Sequence, residues 1–328
     1  MNETDRRRFL KTAIASLTAA GLGTDVLADQ QANPAGIPTR PFGKTGERVS
    51  IVGLGGYHIG GADDKEAVAI MHEAIDEGMT FFDNSWYYRN GRSEELMGKA
   101  LSTDGRRDKV FLMTKVCARD YKGAREQLED SLRRLQTETI DLWQFHEINW
   151  DVDPDWIFDQ GGLKYALEAK KAGKVRYIGF TGHKHFAHHL KMLANPFEWD
   201  SVQMPISVLD AHFCSFQKNV LPECTRRKIA AIGMKSLSNG ILPTQLKMSA
   251  EVCRRFALSL PISVLACGIS SRENLRQDLA MARAFKPITE KDIDDLLAQT
   301  KEAGREGKFE PHKTTRFGSA YHFRQHGE

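Results

Sequence analysis

The sequence lacks any regular spacing of cysteines. Its five cysteines are scattered and include no Cys-x-x-Cys pair; they are Cys117, Cys214, Cys224, Cys253 and Cys267. An odd number of scattered cysteines excludes the class of small domains that are held together by a framework of paired disulfides. Most of these residues lie in apolar runs, so we expect small core residues and no obligatory disulfide.

Long apolar runs and one-sided charge are also lacking. Apart from the N-terminal segment, no 18 consecutive residues are apolar, so no membrane-spanning helix is predicted. The 328 residues have a net charge of +3, and no block of Lys and Arg follows the N-terminus. This distribution of charge does not indicate a basic surface for nucleic acid, and we expect no nucleic-acid partner.

The first 28 residues have the pattern of an export signal. A basic segment with Arg6, Arg7, Phe9, Leu10 and Lys11 precedes a mildly apolar stretch that ends in small residues. The Arg-Arg-x-Phe-Leu-Lys core resembles a twin-arginine signal, although a membrane-anchoring or amphipathic first helix is the alternative. We predict a signal peptide over residues 1–28, export by the twin-arginine machinery to the periplasm, and no stable membrane insertion after cleavage. Residues 29–40 are polar and are predicted to be a linker.

Residues 41–328 alternate short apolar segments with longer segments of helical periodicity. Eight segments are predicted strands, over residues 49–55, 79–83, 109–116, 140–147, 175–182, 200–207, 229–237 and 262–269. Strands that alternate with helices indicate a parallel sheet covered on its outside, and eight units fit a closed barrel. No G-x-G-x-x-G dinucleotide fingerprint occurs. We predict an α/β fold, a (β/α)8 TIM barrel with an N-terminal hairpin and an extra C-terminal helix and tail.

Chemically active side chains follow the predicted strands where they end. Asp83 ends the second strand, Lys115 the third and His146 the fourth, and Tyr88 lies five residues after Asp83. Alone, Asp83 would more often be a helix cap, and His146 would be a core histidine as often as a catalytic one. A carboxylate and an ammonium on neighbouring strands can pair in the interior. A buried lysine beside a phenol can lower the phenol's pKa from about 10 towards neutrality, which predicts a proton donor near pH 7.

Six segments, taken together and in order, resemble the aldo-keto reductase superfamily. They are FGKTGERVSIVGLGG, FFDNSWYYRNGRSEELMGKAL, VFLMTKV, SLRRLQTETIDLWQFH, GKVRYIGFTG and CGISSRENL. The resemblance implies hydride transfer between NAD(P)H and an aldehyde, ketone or sugar carbonyl. It implies Tyr88 as general acid/base, in preference to its neighbour Tyr87. Lys115 would lower the phenol's pKa, Asp83 would hold Lys115, and His146 would orient the carbonyl oxygen.

The resemblance also implies contacts to NADP(H), with NAD(H) as the rival cofactor. Gln203 would hold the carboxamide, with His183 as a substitute for the missing side chain of Gly182. Arg272 or Arg276 would hold a 2′-phosphate. The full implied set of cofactor contacts is Gly55, Gly56, Thr181, Gly182, Gln203, Met234, Lys235, Ser236, Leu237, Gly268, Ser270, Arg272 and Asn274. The substrate, a small-molecule carbonyl, is expected to contact Tyr57, Trp86 and Glu147.

Two other functions stay open at the level of sequence. A metal-dependent hydrolase on the same barrel could use His146, Glu147, His183 and His185, but it leaves the other strand-end residues without a role. A non-catalytic nucleotide-binding barrel is the third hypothesis. His185 and His189 have metal-pair spacing, yet a solvated helix face is the more common meaning, so no metal site is predicted. The tail, rich in His, Arg and aromatics, is expected to cover the barrel mouth.

Overall fold

A computed structural model of the chain describes residues 24–328. Most of the predicted signal peptide therefore lies outside the described residues. Its last five residues form a short helix, α1 (Thr24–Ala28). Within residues 24–328, no helix is both long and apolar enough to cross a lipid bilayer.

A small antiparallel sheet precedes the barrel and consists of β1 (Gln31–Ala32), β2 (Pro38–Pro41) and β3 (Arg48–Ser50). Strands β2 and β3 form the predicted hairpin. Residues 29–40 differ from the predicted linker, because they contribute β1 and most of β2. Arg40 anchors them: its buried guanidinium donates to the backbone carbonyls of Leu258 and Ile262 at 2.8 and 2.9 Å.

Eight parallel strands close into a barrel, which confirms the predicted (β/α)8 fold. Strand β11 pairs with β4 and completes the ring. The barrel strands are β4 (Val52–Gly55), β5 (Phe81–Asp83), β6 (Phe111–Val116), β7 (Ile140–Phe145), β8 (Val175–Thr181), β9 (Ser201–Pro205), β10 (Ala230–Met234) and β11 (Val264–Gly268).

Helices surround the barrel and begin at residues that cap them. The side chains of Asp63, Asp120 and Ser271 accept backbone N–H groups at three helix starts, and Thr289 forms a capping box with Asp292. The helices after α1 are α2 (Gly56–Ile59), α3 (Asp64–Asp76), α4 (Arg92–Leu101), α5 (Tyr121–Leu135), α6 (Asp153–Asp159), α7 (Gly162–Lys171), α8 (Phe186–Ala194), α9 (Phe216–Asn219), α10 (Leu221–Arg226), α11 (Ile241–Thr244), α12 (Ala250–Leu258), α13 (Arg272–Arg283), α14 (Glu290–Gly304), α15 (Pro311–Thr314) and α16 (Ala320–Gln325).

Aromatic side chains fill the amino end of the barrel. Phe42, which follows β2, packs against Phe81 and Phe111 with ring centroids 6.0 and 4.8 Å apart. All three side chains are buried. Each buried phenylalanine contributes about 1.5 to 3 kcal/mol of hydrophobic stabilisation. The polar residues that end the strands lie at the opposite, carboxyl end, because all eight barrel strands run parallel.

The C-terminal tail lies over that carboxyl end. The backbone N–H of Ser319 donates to the carboxylate of Glu147 at 2.9 Å. Close by, the ring of His326 stacks on Trp150 with centroids 4.0 Å apart. These contacts place the tail across the barrel mouth, as predicted.

Candidate active site

A buried ion pair lies at the centre of the carboxyl end. Lys115 pairs through Nζ with the carboxylate of Asp83 and donates to the carbonyl of Asn84 at 2.7 Å. Only 1% of the Lys115 side chain and 6% of the Asp83 side chain are exposed. Burial lowers the pKa of Lys115, and the attraction of Asp83 opposes that change. The two residues meet because β5 and β6 are neighbours in the barrel.

Tyr88 lies against this pair, and Tyr87 does not. The Tyr88 ring centroid is 5.0 Å from Lys115 Nζ and 5.6 Å from the ring centroid of His146. The hydroxyl of Tyr87 instead accepts the backbone N–H of Ala320 in the tail. Of the two phenols, only Tyr88 is brought together with Asp83, Lys115 and His146.

The structure corrects the expected pKa of Tyr88. Part of the Tyr88 surface reaches solvent, but the rest of the side chain is enclosed. This burial raises the pKa of the phenol well above its usual value. The carboxylates of Asp83 and Glu147 raise the pKa further. Lys115 does not reverse this effect because its charge is already paired with Asp83. Tyr88 therefore keeps its proton at neutral pH, which suits a donor more than a base.

The backbone after Tyr88 turns sharply. Arg89, Asn90 and Gly91 have φ values of 53°, 56° and 92°, in the left-handed region. For a residue with a side chain this conformation costs about 1 to 2 kcal/mol. At Gly91 a Cβ would lie 2.6 Å from the guanidinium carbon of Arg134, so the arginine side chain would have to move. This strained turn fixes the direction of the chain directly after the phenol.

Burial favours the neutral form of His146, and Ser85 contacts its Nδ1. Burial lowers the pKa of His146 well below its usual value. Its Nδ1 lies 3.1 Å from the hydroxyl oxygen of Ser85, which already accepts the N–H of Tyr87 at 3.4 Å. In the tautomer with its ring proton on Nε2, His146 accepts the hydroxyl proton of Ser85 at Nδ1. A neutral imidazole with Nε2–H can donate to a carbonyl oxygen.

Gln203 extends the buried network and has one unused acceptor. Its Nε2 donates to the second carboxylate oxygen of Asp83 at 2.9 Å. Its Oε1 is buried and has no hydrogen-bond partner within residues 24–328. A buried orphan acceptor is costly unless a ligand satisfies it, and a carboxamide N–H would do so.

The predicted role of His183 as a substitute for Gly182 does not fit the structure. Ring atom Nδ1 of His183 lies 3.0 Å from the backbone carbonyl of His312, in the tail, so this side chain is engaged elsewhere. At Gly182 a Cβ would lie 2.6 Å from the carbonyl oxygen of Ile148, which leaves no space for an amide side chain. Neighbouring Thr181 is buried at the end of β8.

Lys235 is a half-buried cation after β10. Its Nζ contacts Asn239 Oδ1 at 3.0 Å and lies 4.6 Å from the ring centroid of Phe317. Within the described part of the chain no carboxylate lies within ion-pair distance of it. Burial lowers the pKa of Lys235 to about 8. A desolvated cation without a counter-charge is suited to an anionic ligand such as a phosphate.

The loop after β11 leads into the N-terminus of α13. The hydroxyl of Ser270 donates to the side chain of Asn274 at 3.0 Å. Arg276 is committed to Glu73 at 2.6 Å, whereas exposed Arg272 has only a 3.5 Å contact with a carboxylate. Arg272 is thus the freer of the two predicted phosphate ligands. The other implied cofactor residues also lie at or just beyond carboxyl strand ends: Gly55, Gly56, Met234, Ser236, Leu237 and Gly268.

The three predicted substrate residues have different surroundings. Tyr57 is 48% exposed and meets Tyr88 edge-on at 5.5 Å, so it lies at the rim. Trp86 donates from its indole N–H to Asp130 at 3.3 Å and meets Tyr321 of the tail edge-on at 5.5 Å. Glu147 is buried and already accepts a tail N–H, which makes it an anchor of the tail.

The alternative hydrolase set assembles only in part: His183 Nε2 lies 3.6 Å from Glu147 Oε1, but His185 is engaged elsewhere. His185 caps α8, where its Nδ1 accepts the N–H of Ala187, and its ring stacks on Phe186. His189, expected on a solvated face, is instead fully buried between Phe180 and Phe216. The helix turns these two histidines towards different surroundings, so they form no metal pair.

An open groove of about 660 Å³ lies at the other end of the barrel. Arg107, Asp141 and Arg176 line it, and none of the residues at the carboxyl end reaches it. The groove is open and lined mostly by polar residues. The candidate active site is therefore the buried cluster at the barrel mouth and not this groove.

Comparison with known proteins agrees with this geometry. Residues 51–255 match the family described as "Aldo/keto reductase family". The chain is 32% identical over 215 residues to "Aldo-keto reductase YhdN" of Bacillus subtilis, over 60% of this chain and 61% of that protein. It is 29% identical over 224 residues to "Aldo-keto reductase yakc [NADP(+)]" of Schizosaccharomyces pombe, over 63% of each.

A solved structure shows the same fold. Aldo-keto reductase AKR11C1 from Bacillus halodurans, in its holo form, superposes with a TM-score of 0.70 at 24% identity. The match covers 82% of this chain and 100% of that one. The chain spans less than two thirds of the length of the two curated relatives named above. Because the family match covers more than half of the 328 residues, the chain belongs to the aldo/keto reductase family.

Proposed function

We propose that the protein is an NADP(H)-dependent oxidoreductase that interconverts a small-molecule carbonyl and its alcohol. The observation that carries this proposal is the buried Lys115–Asp83 pair with Tyr88 and His146 against it. A buried ion pair at strand ends is expensive to maintain and contributes little to stability compared with apolar residues. Its position beside a phenol and a neutral imidazole gives it a use in proton transfer.

The bound nicotinamide would supply or accept the hydride. In carbonyl reduction, Nε2–H of His146 donates to the carbonyl oxygen and orients it. Tyr88, which burial keeps protonated at neutral pH, donates its proton as negative charge develops on that oxygen. Lys115, fixed by Asp83, holds positive charge within 5.0 Å of the phenol ring, which stabilises the phenolate left behind.

The residues present fit an NADP(H) molecule at three separate points. The orphan acceptor of Gln203 can receive a carboxamide N–H close to Asp83. Lys235 offers an uncompensated positive charge to phosphate oxygens. Arg272, at the start of α13, adds a second cation where helix amides also favour an anion.

Nucleotide binding followed by a substrate screen tests the proposal. Purified protein should quench or shift NADPH fluorescence at one equivalent and bind NADH less tightly. Protein with bound NADPH should then oxidise it with members of a panel of aldehydes, ketones and sugars. Absence of binding to either nucleotide would contradict the proposal.

Ser85 provides a prediction about the tautomer of His146. Replacing Ser85→Ala should lower kcat for carbonyl reduction by about 5-fold, since a hydrogen bond of about 1 kcal/mol no longer selects Nε2–H. Nitrogen NMR of labelled histidine should show a mixed tautomer at His146. Exposed Ser102→Ala is the control and should change neither quantity. An unchanged tautomer in Ser85→Ala would show that Ser85 has no such role.

Lys235 provides a prediction about pH. Its pKa of about 8 means that it is charged below pH 8 and neutral above it. We therefore expect the Kd of NADP(H) to increase as the pH rises through about 8, and to be high and nearly independent of pH in Lys235→Met. Lys247→Met, a matched change at another lysine with a positive φ, should behave like the parent. Titrations by nucleotide fluorescence at several pH values measure both, and a parent-like profile in Lys235→Met would contradict the assignment.

We also propose that the protein is exported to the periplasm by the twin-arginine machinery. The support is the order of residues from Arg6 to Lys11 and the small residues that end at Ala28. Replacing Arg6→Lys and Arg7→Lys together should abolish export of the full chain, while Arg8→Lys should not. Fractionation with immunodetection measures the outcome. Equal export of the paired variant and the parent would contradict the proposal.

A further inference from the structure

Three metal-ligating side chains meet beside the proposed active site, although they are far apart in sequence. Cys117 follows β6, His146 follows β7, and His322 lies on tail helix α16. One donor atom from each lies within 4.8 Å of the other two, and all three residues are buried. No metal site is predicted from the sequence, and no spacing links His322 to His146, 176 positions away.

The distance between the first two donors suits a metal ion. Cys117 Sγ lies 3.7 Å from His146 Nδ1. Tetrahedral zinc with bonds of about 2.0 to 2.3 Å places a sulfur and a nitrogen ligand about 3.6 Å apart. A metal at Nδ1 requires the proton on Nε2, the same tautomer as the one in which Ser85 donates to Nδ1, and the metal would take the place of that hydrogen bond.

His322 supplies the independent observation. Its side chain is completely buried, yet neither ring nitrogen has a hydrogen-bond partner within the described residues. Leaving buried polar atoms unpaired is costly, and native proteins rarely do so without a ligand or a function. The nearest carboxylate oxygen, from Glu147, is 3.7 Å from His322 Nε2. If Nδ1 binds a metal, Nε2–H is directed towards that carboxylate, a common arrangement behind metal-bound histidines.

The charges around the cluster also permit a divalent cation. Arg119 is paired with Asp153, and Lys115 is paired with Asp83, so neither is an uncompensated positive charge. Glu147 is buried nearby, and its carboxylate lies 3.7 Å from His322 Nε2. Metal binding would displace the proton of the buried Cys117 thiol to solvent, and the resulting thiolate and the Glu147 carboxylate would then face the +2 charge.

We propose that Cys117, His146 and His322 form a three-ligand site for a divalent cation of the zinc type, closed by the tail. One sulfur and two imidazole donors favour zinc over magnesium or calcium, which prefer oxygen ligands. Three protein ligands leave a fourth position open. The site joins the barrel to α16, so bound metal would also hold the tail across the mouth.

Metal binding to the full-length purified protein tests this site without nucleotide or substrate, so its outcome is independent of the proposed function. Zinc should bind at one equivalent in competition with a chromophoric chelator. Cobalt should produce a near-ultraviolet charge-transfer band from a thiolate. Loss of a hydrogen-bond partner behind a ligand lowers metal affinity by about 10- to 100-fold, and loss of the ligand itself should cost more. Cys117→Ser and His322→Gln should therefore each weaken zinc binding by more than about 100-fold.

Matched variants separate this site from other thiols and histidines. Cys214→Ser repeats the substitution at a half-exposed thiol, Arg324→Gln changes an exposed residue of the same helix, and His185→Gln removes a surface histidine. All three should bind zinc like the parent, and thermal melts should show that every variant is folded. The proposal is overturned if the parent binds no zinc, if His322→Gln binds it as tightly as the parent, or if His185→Gln alone removes binding.

Discussion

Replacement of Tyr88→Phe should lower kcat for carbonyl reduction by about 10²- to 10⁴-fold, the usual contribution of a positioned general acid. The ring and its contacts with Lys115 and His146 remain, and only the hydroxyl is removed. The Kd of NADPH should therefore stay within about 2-fold of the parent value, since the hydroxyl belongs to the carbonyl end of the site. Stopped-flow turnover and nucleotide fluorescence measure the two quantities.

Tyr87→Phe is the matched control. It removes the neighbouring phenol, whose hydroxyl accepts a backbone N–H from the tail. This change should loosen the tail but leave kcat within about 5-fold of the parent, since an ordinary hydrogen bond contributes only about 1 kcal/mol. If Tyr87→Phe loses turnover and Tyr88→Phe keeps it, the two phenols have been assigned the wrong way round.

Replacement of Lys115→Met should lower the free energy of unfolding by about 3 to 5 kcal/mol, because it leaves the buried carboxylate of Asp83 without its cation. Turnover should fall as well, since no positive charge then stabilises the phenolate of Tyr88. Chemical denaturation measures the first effect. A surface pair, Lys99 with Asp64, gives the control: Lys99→Met should cost less than about 1 kcal/mol.

The double variant Asp83→Asn with Lys115→Met separates stability from catalysis. It removes both charges, and the amide can still accept from Gln203. We expect it to recover most of the lost unfolding free energy, since neutral replacements of buried pairs are often tolerated. Turnover should remain as low as in Lys115→Met. Recovery of turnover along with stability would mean that the pair serves the fold alone.

The barrel could be predicted from sequence because its signal is local and repeated. Each strand is a short apolar run followed by a helical segment, and Asp83, Lys115 and His146 lie at strand ends that parallel topology must bring together. The sequence of residues 29–40 indicates a linker, whereas the structure places part of this stretch in the small antiparallel sheet. Nothing in that polar stretch shows that Arg40 donates to carbonyls more than 200 positions away.

The surroundings of the site were harder to predict than its members. The pKa of Tyr88 depends on the balance between burial and a lysine already neutralised by Asp83, which no spacing reveals. The tail contacts of Glu147 and the position of His322 depend on how 14 residues after Thr314 fold back over the barrel. The aromatic and histidine content of the tail was the available signal, and it predicted covering without saying what would be covered.

Transfer of deuterium from the cofactor tests the central claim most directly. Protein is mixed with NADPH deuterated at C4 of the nicotinamide and with a carbonyl that turns over in the screen, and the alcohol product is examined by mass spectrometry. We expect deuterium on the carbinol carbon with the parent protein. With Tyr88→Phe, the nucleotide should bind but almost no labelled alcohol should form. Equal amounts of labelled alcohol from Tyr88→Phe and the parent would contradict the account.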